Sequence, residues 1–109
     1  MKIGLFSINL MVTVYILYSV KLDQFYKGQT SDLPNRLKRH NAGYEKFTKK
    51  GTPWKLIWTT EKEDLSQAII LESKLKNLGR TQTIDFMLKY HQQIAGPDEL
   101  LLIKQLSGC

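Results

Sequence analysis

The stretch that decides the fold runs VTVYILYS from Val12 to Ser19 and resumes, after Lys21–Gln24, with FYKGQ from Phe25 to Gln29. Val12–Ser19 is almost entirely β-branched, aliphatic or aromatic, which is the composition of a buried strand. The polar tetrapeptide Lys21–Gln24 suits a hairpin connection, so the two strands are expected to run antiparallel. Thr30, Ser31 and Asp32 then supply helix N-cap candidates, and Pro34 fits a first turn, where a missing N–H leaves nothing unpaired. A helix is predicted from Leu33 to about Asn41, ended near Gly43.

Tyr44–Pro53 is rich in Lys, Thr and Gly and reads as a mobile basic loop. Trp54–Thr60 sets Trp54, Leu56 and Trp58 against Lys55, Ile57 and Thr59, the alternation of a third strand. A long helix is predicted from about Lys62 to Leu78 with Gly79 as its stop, and another from Thr83 to Ala95, ended by Gly96 and Pro97. Asp98 and Glu99 suit the positive end of a last helix, Leu100–Leu106. The fold class is therefore α/β of the α+β kind: a small three-stranded sheet, at least partly antiparallel, flanked by helices in the order β-β-α-β-α-α.

Before the hairpin, Ile3 to Val20 is mostly apolar behind Lys2, in the manner of a secretory signal or membrane span. Ser7, Asn9 and Thr13 interrupt the run, no small-x-small cleavage site follows, and Tyr15 and Tyr18 stand where plain aliphatics belong. Residues 1–10 are expected to be an N-terminal extension, with Met11 opening the strand and no targeting segment. A cytoplasmic location without membrane association follows as an expectation. At 109 residues the chain is read as one domain over 11–95 with a C-terminal helical tail over 96–109.

Sixteen Lys and Arg oppose ten Asp and Glu, a net charge of +6. The excess is local. Lys27, Arg36, Lys38, Arg39, Lys46, Lys49, Lys50 and Lys55 face only Asp32 and Glu45 in the same segment, so the rest of the chain sums to zero. Clustered bases suit a polyanion, nucleic acid above all, although a solvated basic face would look the same. The single cysteine, Cys109, rules out a disulfide framework and a cysteine-based metal site, and His40 and His91 stand too far apart in sequence to suggest a histidine-rich zinc site.

Two placements break the structural pattern. Arg36 and His40 are four residues apart, so they project from one side of a helix and can meet one ligand together. A guanidinium fork binds phosphate and a neighbouring imidazole moves protons; a pair on a basic surface is the plainer alternative. Glu72 falls within the apolar stripe Leu65, Ala68, Ile69, Leu71, Leu75 and Leu78. A buried carboxylate needs a partner, since leaving it unpaired costs several kcal/mol on the order-of-magnitude scale for buried charge. A metal ion or Arg36 would serve, or the helix turns enough for Glu72 to reach water.

Val14-Tyr15-Ile16 and, eleven residues after Tyr15, Tyr26-Lys27-Gly28 resemble the paired motifs of the GIY-YIG nuclease superfamily. Arg36–Asn41 resembles the helix bearing that family's arginine and histidine, Pro53–Ile57 its third strand, and Ala68–Asn77 the helix with its metal-binding glutamate. The resemblance covers about Met11 to Phe86 and is nearest to short members related to the N-terminal nuclease domain of excinuclease C, a DNA-repair enzyme. It implies a metal-dependent DNA endonuclease. By position, Tyr15 matches the tyrosine that activates or orients water, and Tyr26 the second tyrosine at the scissile phosphate. Arg36 matches the arginine that stabilises phosphate charge, His40 the group that assists proton transfer, and Glu72 the ligand of one Mg²⁺ or Mn²⁺. Lys27, Lys38, Arg39, Lys46, Lys49, Lys50 and Lys55 are the expected nucleic-acid contacts. The first motif departs from the family in reading V-Y-I, Gln29 replaces a lysine of some relatives, and no asparagine follows Glu72 at the usual distance. The alternative is a catalytically inactive nucleic-acid-binding module of the same fold. With no second DNA-binding segment in view, specificity is expected from this domain or from a protein partner.

Overall fold

A computed structural model of the protein describes residues 11–108. Residues 1–10, the expected extension, lie outside the described residues, as does Cys109. The strands are β1 (Val12–Ser19), β2 (Gln24–Thr30) and β3 (Trp54–Lys62), and the α-helices are α1 (Leu33–Asn41), α2 (Leu65–Lys76), α3 (Arg80–Lys89) and α4 (Pro97–Leu106). One sheet forms in the order β2-β1-β3, antiparallel throughout. The expected α+β class and its element order are present, and the last helix, α4, starts at Pro97, three residues before the expected Leu100.

β1 is the central strand and is buried on both faces, which is why its apolar run hardly alternates. On one face Val12, Val14, Ile16 and Tyr18 meet Ile57 and Trp58, covered by Ala68 and Leu75 of α2, Ile84 and Met87 of α3 and Ile103 of α4. The other face is thinner. Tyr15, Leu17 and Trp54 are covered there by Leu33 and Leu37 of α1 together with Leu22, Tyr26 and Leu56. A buried Leu, Ile or Phe is worth about 1.5–3 kcal/mol, so the three-helix face carries most of the hydrophobic stabilisation. The one-helix face can hold polar groups at modest cost.

The hairpin register pairs Tyr15 with Gly28 and Leu17 with Tyr26, which sets both tyrosines on the α1 face. Asp32 caps α1 by accepting from the Asn35 N–H at 3.2 Å, Pro34 lies in the first turn, and Gly43 continues past the end at φ 81°. These local signals act as read from sequence.

Four expectations are corrected. The alternation of β3 is broken between Leu56 and Trp58, where Ile16 pairs with Trp58 but Leu17 with Leu56. Ile57 is the extra residue of a bulge, so Trp58 joins the helix-covered face, opposite Trp54. β3 also runs to Lys62 because Thr13 and Val12 continue the ladder to Glu61 and Lys62, and α2 starts only after the Asp64 cap. The next helix spans Arg80–Lys89 and not Thr83–Ala95: Gly79 caps its start, and beyond Tyr90 the chain makes a 3₁₀ turn at His91–Gln93. There the Trp58 indole donates to the Tyr90 carbonyl at 3.1 Å and the Ala95 N–H to the Ile57 carbonyl at 2.9 Å, so tertiary bonds replace the helical ones. The basic stretch is not a loose loop either. Thr48 and Gly51 are buried, a 3₁₀ turn covers Lys49–Gly51, and the Trp54 indole donates to the Thr48 carbonyl at 2.7 Å.

Candidate active site

The site begins with Tyr15, wholly buried at the middle of the central strand. Its ring lies over Gly28 of β2, where a β-carbon would stand 2.6 Å from the Tyr15 hydroxyl and 2.7 Å from Cζ. Only glycine leaves room for the ring at this cross-strand position. The Tyr15 Oη lies 3.0 Å from His40 Nε2, and His40 Nδ1 lies 3.0 Å from Thr48 Oγ1. His40 is the buried residue of α1. It reaches the sheet because Asn41, next to it, is clamped to β3: its side chain accepts from the Trp54 N–H at 2.6 Å and donates to the Trp54 carbonyl at 3.2 Å.

Tyr26 stands beside both groups, with ring centroids 4.9 Å from His40 and 6.4 Å from Tyr15. Phe47, 82% exposed, lies 6.2 Å from Tyr26 on the outer side. An open groove of about 450 Å³ crosses the β2 edge here, lined by Phe25, Tyr26, Lys27, Phe47 and Lys76.

The electrostatics follow from this packing. Burial pushes the Tyr15 hydroxyl up to about 12, helped by Tyr26 and the Glu72 carboxylate, while the charge and hydrogen bonding of the Arg36 guanidinium offset part of the rise. Burial lowers the proton affinity of His40; Glu45 opposes this, and the cations Arg36 and Arg39 reinforce it. At neutral pH the pair is thus a phenol and a neutral imidazole.

The expected site residues are therefore placed as follows. Tyr15, Tyr26 and His40 come together on the thin face of the sheet, and the charges of Arg36 and Glu72 are felt at the Tyr15 hydroxyl. Glu72 keeps 18% of its side chain exposed and is paired with Lys76 at 3.2 Å. The stripe read for this helix is corrected: Ala68 and Leu75 are buried but Leu65 and Ile69 are exposed, so the helix is rolled and Glu72 keeps part of its side chain in reach of water. Its protein partner is Lys76, and no Arg36–Glu72 ion pair forms among the described residues.

The basic residues divide. Lys38, Lys46, Lys49 and Lys50 are exposed, and Lys46 and Lys50 flank Phe47. Arg39 pairs with Glu45 at 3.2 Å. Lys27 and Lys55 stand apart. By strand alternation Lys27 turns to the face opposite the tyrosines, where its ammonium donates to the Leu78 carbonyl at 3.4 Å and burial lowers its proton affinity. Lys55 turns to Glu99 of α4 at 3.8 Å. Thr48 and Phe47 were invisible as site residues in the sequence, because a threonine and a phenylalanine among lysines carry no spacing signal.

A single carboxylate beside a lysine is no metal cage, and among the described residues no three His, Cys, Asp or Glu side chains cluster as one. It does fit a hard, largely hydrated divalent cation of the Mg²⁺ type, which takes one or two carboxylates and completes its shell with water and substrate phosphate. No helix among the described residues is long and apolar enough to cross a membrane.

A small antiparallel sheet with helices on both faces and a tyrosine–histidine pair buried on the thinner one defines a small α+β domain. The family model for the GIY-YIG catalytic domain matches residues 11–85, and the chain belongs to that family. It is similar to a UPF0213 protein of Halobacterium salinarum, 37% identical over 59 residues, which span 53% of this chain and 77% of the relative. It is also similar to a UPF0213 protein of Bacillus halodurans solved in solution by NMR, at 30% identity over 83% of this chain and 92% of the other, with a TM-score of 0.49.

Proposed function

We propose that the protein is a divalent-cation-dependent endonuclease that hydrolyses phosphodiester bonds in DNA, with Tyr15, Tyr26, Arg36, His40 and Glu72 as its site. The observation that carries the reading is the buried 3.0 Å contact between Tyr15 and His40 beside the Tyr26 ring. A phenol held near 12 is almost wholly protonated at pH 7 and is a base only if it can shed its proton. His40, kept neutral by burial, is the acceptor within reach.

The chemistry then runs through the chain's own groups. Tyr15 is wholly buried in this structure, so the step requires the site to open; water then admitted beside Tyr15 loses a proton to the phenol oxygen as the phenol proton passes to His40 Nε2. Tyr26, which lines the neighbouring groove, orients the phosphate or the water. Arg36 stabilises the charge that grows on the non-bridging oxygens, the role in which a preorganised donor is most effective. The P–O bond to the leaving oxygen breaks in line with the attack. Glu72, released from Lys76, would hold the cation, which when bound supplies charge neutralisation at the phosphate. Lys46, Lys49 and Lys50, with Lys38 at the end of α1, would engage neighbouring phosphates, and Phe47 offers an apolar contact among them.

Incubation with plain, flapped and branched DNA, in Mg²⁺ and separately in EDTA, tests the reading. Cleavage in Mg²⁺ alone is expected. Binding without cleavage on any of these substrates would replace it with the non-catalytic module.

A further inference from the structure

Within the proposed nuclease reading, we propose that Thr48 is a positioning residue that holds His40 as its Nδ1–H tautomer and so aims the bare Nε2 at the Tyr15 hydroxyl. Thr48 lies in the lysine stretch between α1 and β3, yet its side chain is completely buried. Its hydroxyl touches two groups, His40 Nδ1 at 3.0 Å and the Glu45 carbonyl at 3.3 Å. Its backbone is pinned as well: its N–H donates to the Glu45 carbonyl at 3.1 Å, and its carbonyl accepts from the Trp54 indole at 2.7 Å.

Counting protons along this chain gives it one direction. A carbonyl only accepts. The Glu45 carbonyl closes the chain at one end, so Thr48 donates to Glu45, His40 Nδ1–H donates to Thr48, and Tyr15 donates to His40 Nε2. Reversed, His40 Nε2–H would donate to Tyr15, and the phenol proton, in a buried setting, would have no acceptor among the described residues. No buried side-chain polar atom is left without a partner in the described structure.

The tautomer decides whether His40 can act. With Nδ1 carrying the proton, Nε2 accepts the phenol proton as Tyr15 takes one from water. The imidazole becomes an imidazolium bonded at both nitrogens, to Tyr15 and to Thr48, and the water has become the attacking hydroxide. Thr48 itself gains and loses nothing. With Nε2 carrying the proton instead, the imidazole presents a donor to Tyr15 and the transfer has nowhere to go.

The test uses the full chain labelled with ¹⁵N-histidine, and long-range ¹H–¹⁵N correlation spectra of the imidazoles at neutral pH; a His91→Gln sample assigns the two histidines. The wild type should show a pyrrole-like Nδ1 and a pyridine-like Nε2 for His40. Thr48→Val, close in shape but without the hydroxyl, should mix or reverse the two signals, and Thr48→Ser should restore them. If the chain cleaves DNA, Thr48→Val should lower kcat about 10–100-fold, the usual effect of removing a group that orients a functional histidine, with KM for DNA unchanged and Thr48→Ser near wild type. A wild-type spectrum with a protonated Nε2 overturns the proposal, as does a Thr48→Val protein that keeps the wild-type tautomer. The wild-type spectrum needs no variant to fold and no cleavage to occur, so its outcome is separate from the fate of the nuclease reading.

Discussion

Adding one methyl group at Gly28 should disable the site without removing any of its polar groups. The β-carbon of Gly28→Ala would lie 2.7 Å from Tyr15 Cζ and 2.6 Å from its hydroxyl. Carbon atoms pack at about 3.5 Å or more, so ring or strand must give way by about 0.8 Å. Neither moves freely. Tyr15 is fully buried on the central strand, and Gly28 is its direct cross-strand partner in the hairpin. Overpacking of this kind destabilises by roughly 1–3 kcal/mol. The same displacement would carry the phenol away from His40 Nε2, now at 3.0 Å. A misplacement of about 1 Å at a reacting group costs on the order of 10²-fold in rate. Denaturant unfolding would read the first effect, and single-turnover cleavage of a labelled DNA, with Gly28→Ala kept well below its melting point, the second. A variant with wild-type stability and an undiminished rate would show that the close approach of Tyr15 to β2 has no bearing on the chemistry.

Further outcomes follow from the same geometry. Glu72→Gln keeps the shape but removes the charge that would hold the cation, so Mg²⁺-dependent cleavage should vanish while DNA affinity, which rests on the lysine surface, stays within a few-fold; full cleavage by this variant would reject Glu72. Arg36→Ala should slow cleavage by ~10²–10³, the range for deleting one preorganised donor, and steady-state rates at saturating DNA would read it. Affinity should fall with salt at about −0.9 in log–log slope per neutralised phosphate, near −3 if Lys46, Lys49 and Lys50 each meet one, and the triple alanine variant should flatten that slope. Because burial lowers the proton affinity of His40, its contribution to stability is present above the usual histidine value of about 6.5 and is lost as pH falls through the lower folded value. The stability difference between wild type and His40→Gln, measured by chemical denaturation, should therefore shrink on acidification below pH 6.5; a difference that grows would contradict the buried, neutral imidazole.

What the sequence determined by itself is what short-range chemistry encodes. The apolar run of Val12–Ser19, the Lys21–Gln24 connection, the Asp32 cap with Pro34, and Gly43 each act within a few residues, so strand, turn and helix were legible there, and with them the spacing that makes the family recognisable. Arg36 and His40 could be paired for the same reason, since four residues on a helix fix a shared side. Tertiary structure decided the rest. The bulge at Ile57 depends on how β1 lies against β3, and it alone puts Trp54 and Trp58 on opposite faces. The end of α3 at Lys89 depends on bonds from Trp58 and Ala95 that no local window contains. The roll of α2, which buries Ala68 and Leu75 but exposes Leu65 and Ile69, is set by the sheet beneath it. Thr48 shows the limit most directly. Its neighbours in sequence are lysines and a phenylalanine, and its role arises only because folding brings it back onto His40, eight positions earlier, and buries both, where each hydrogen-bonding atom must find a partner.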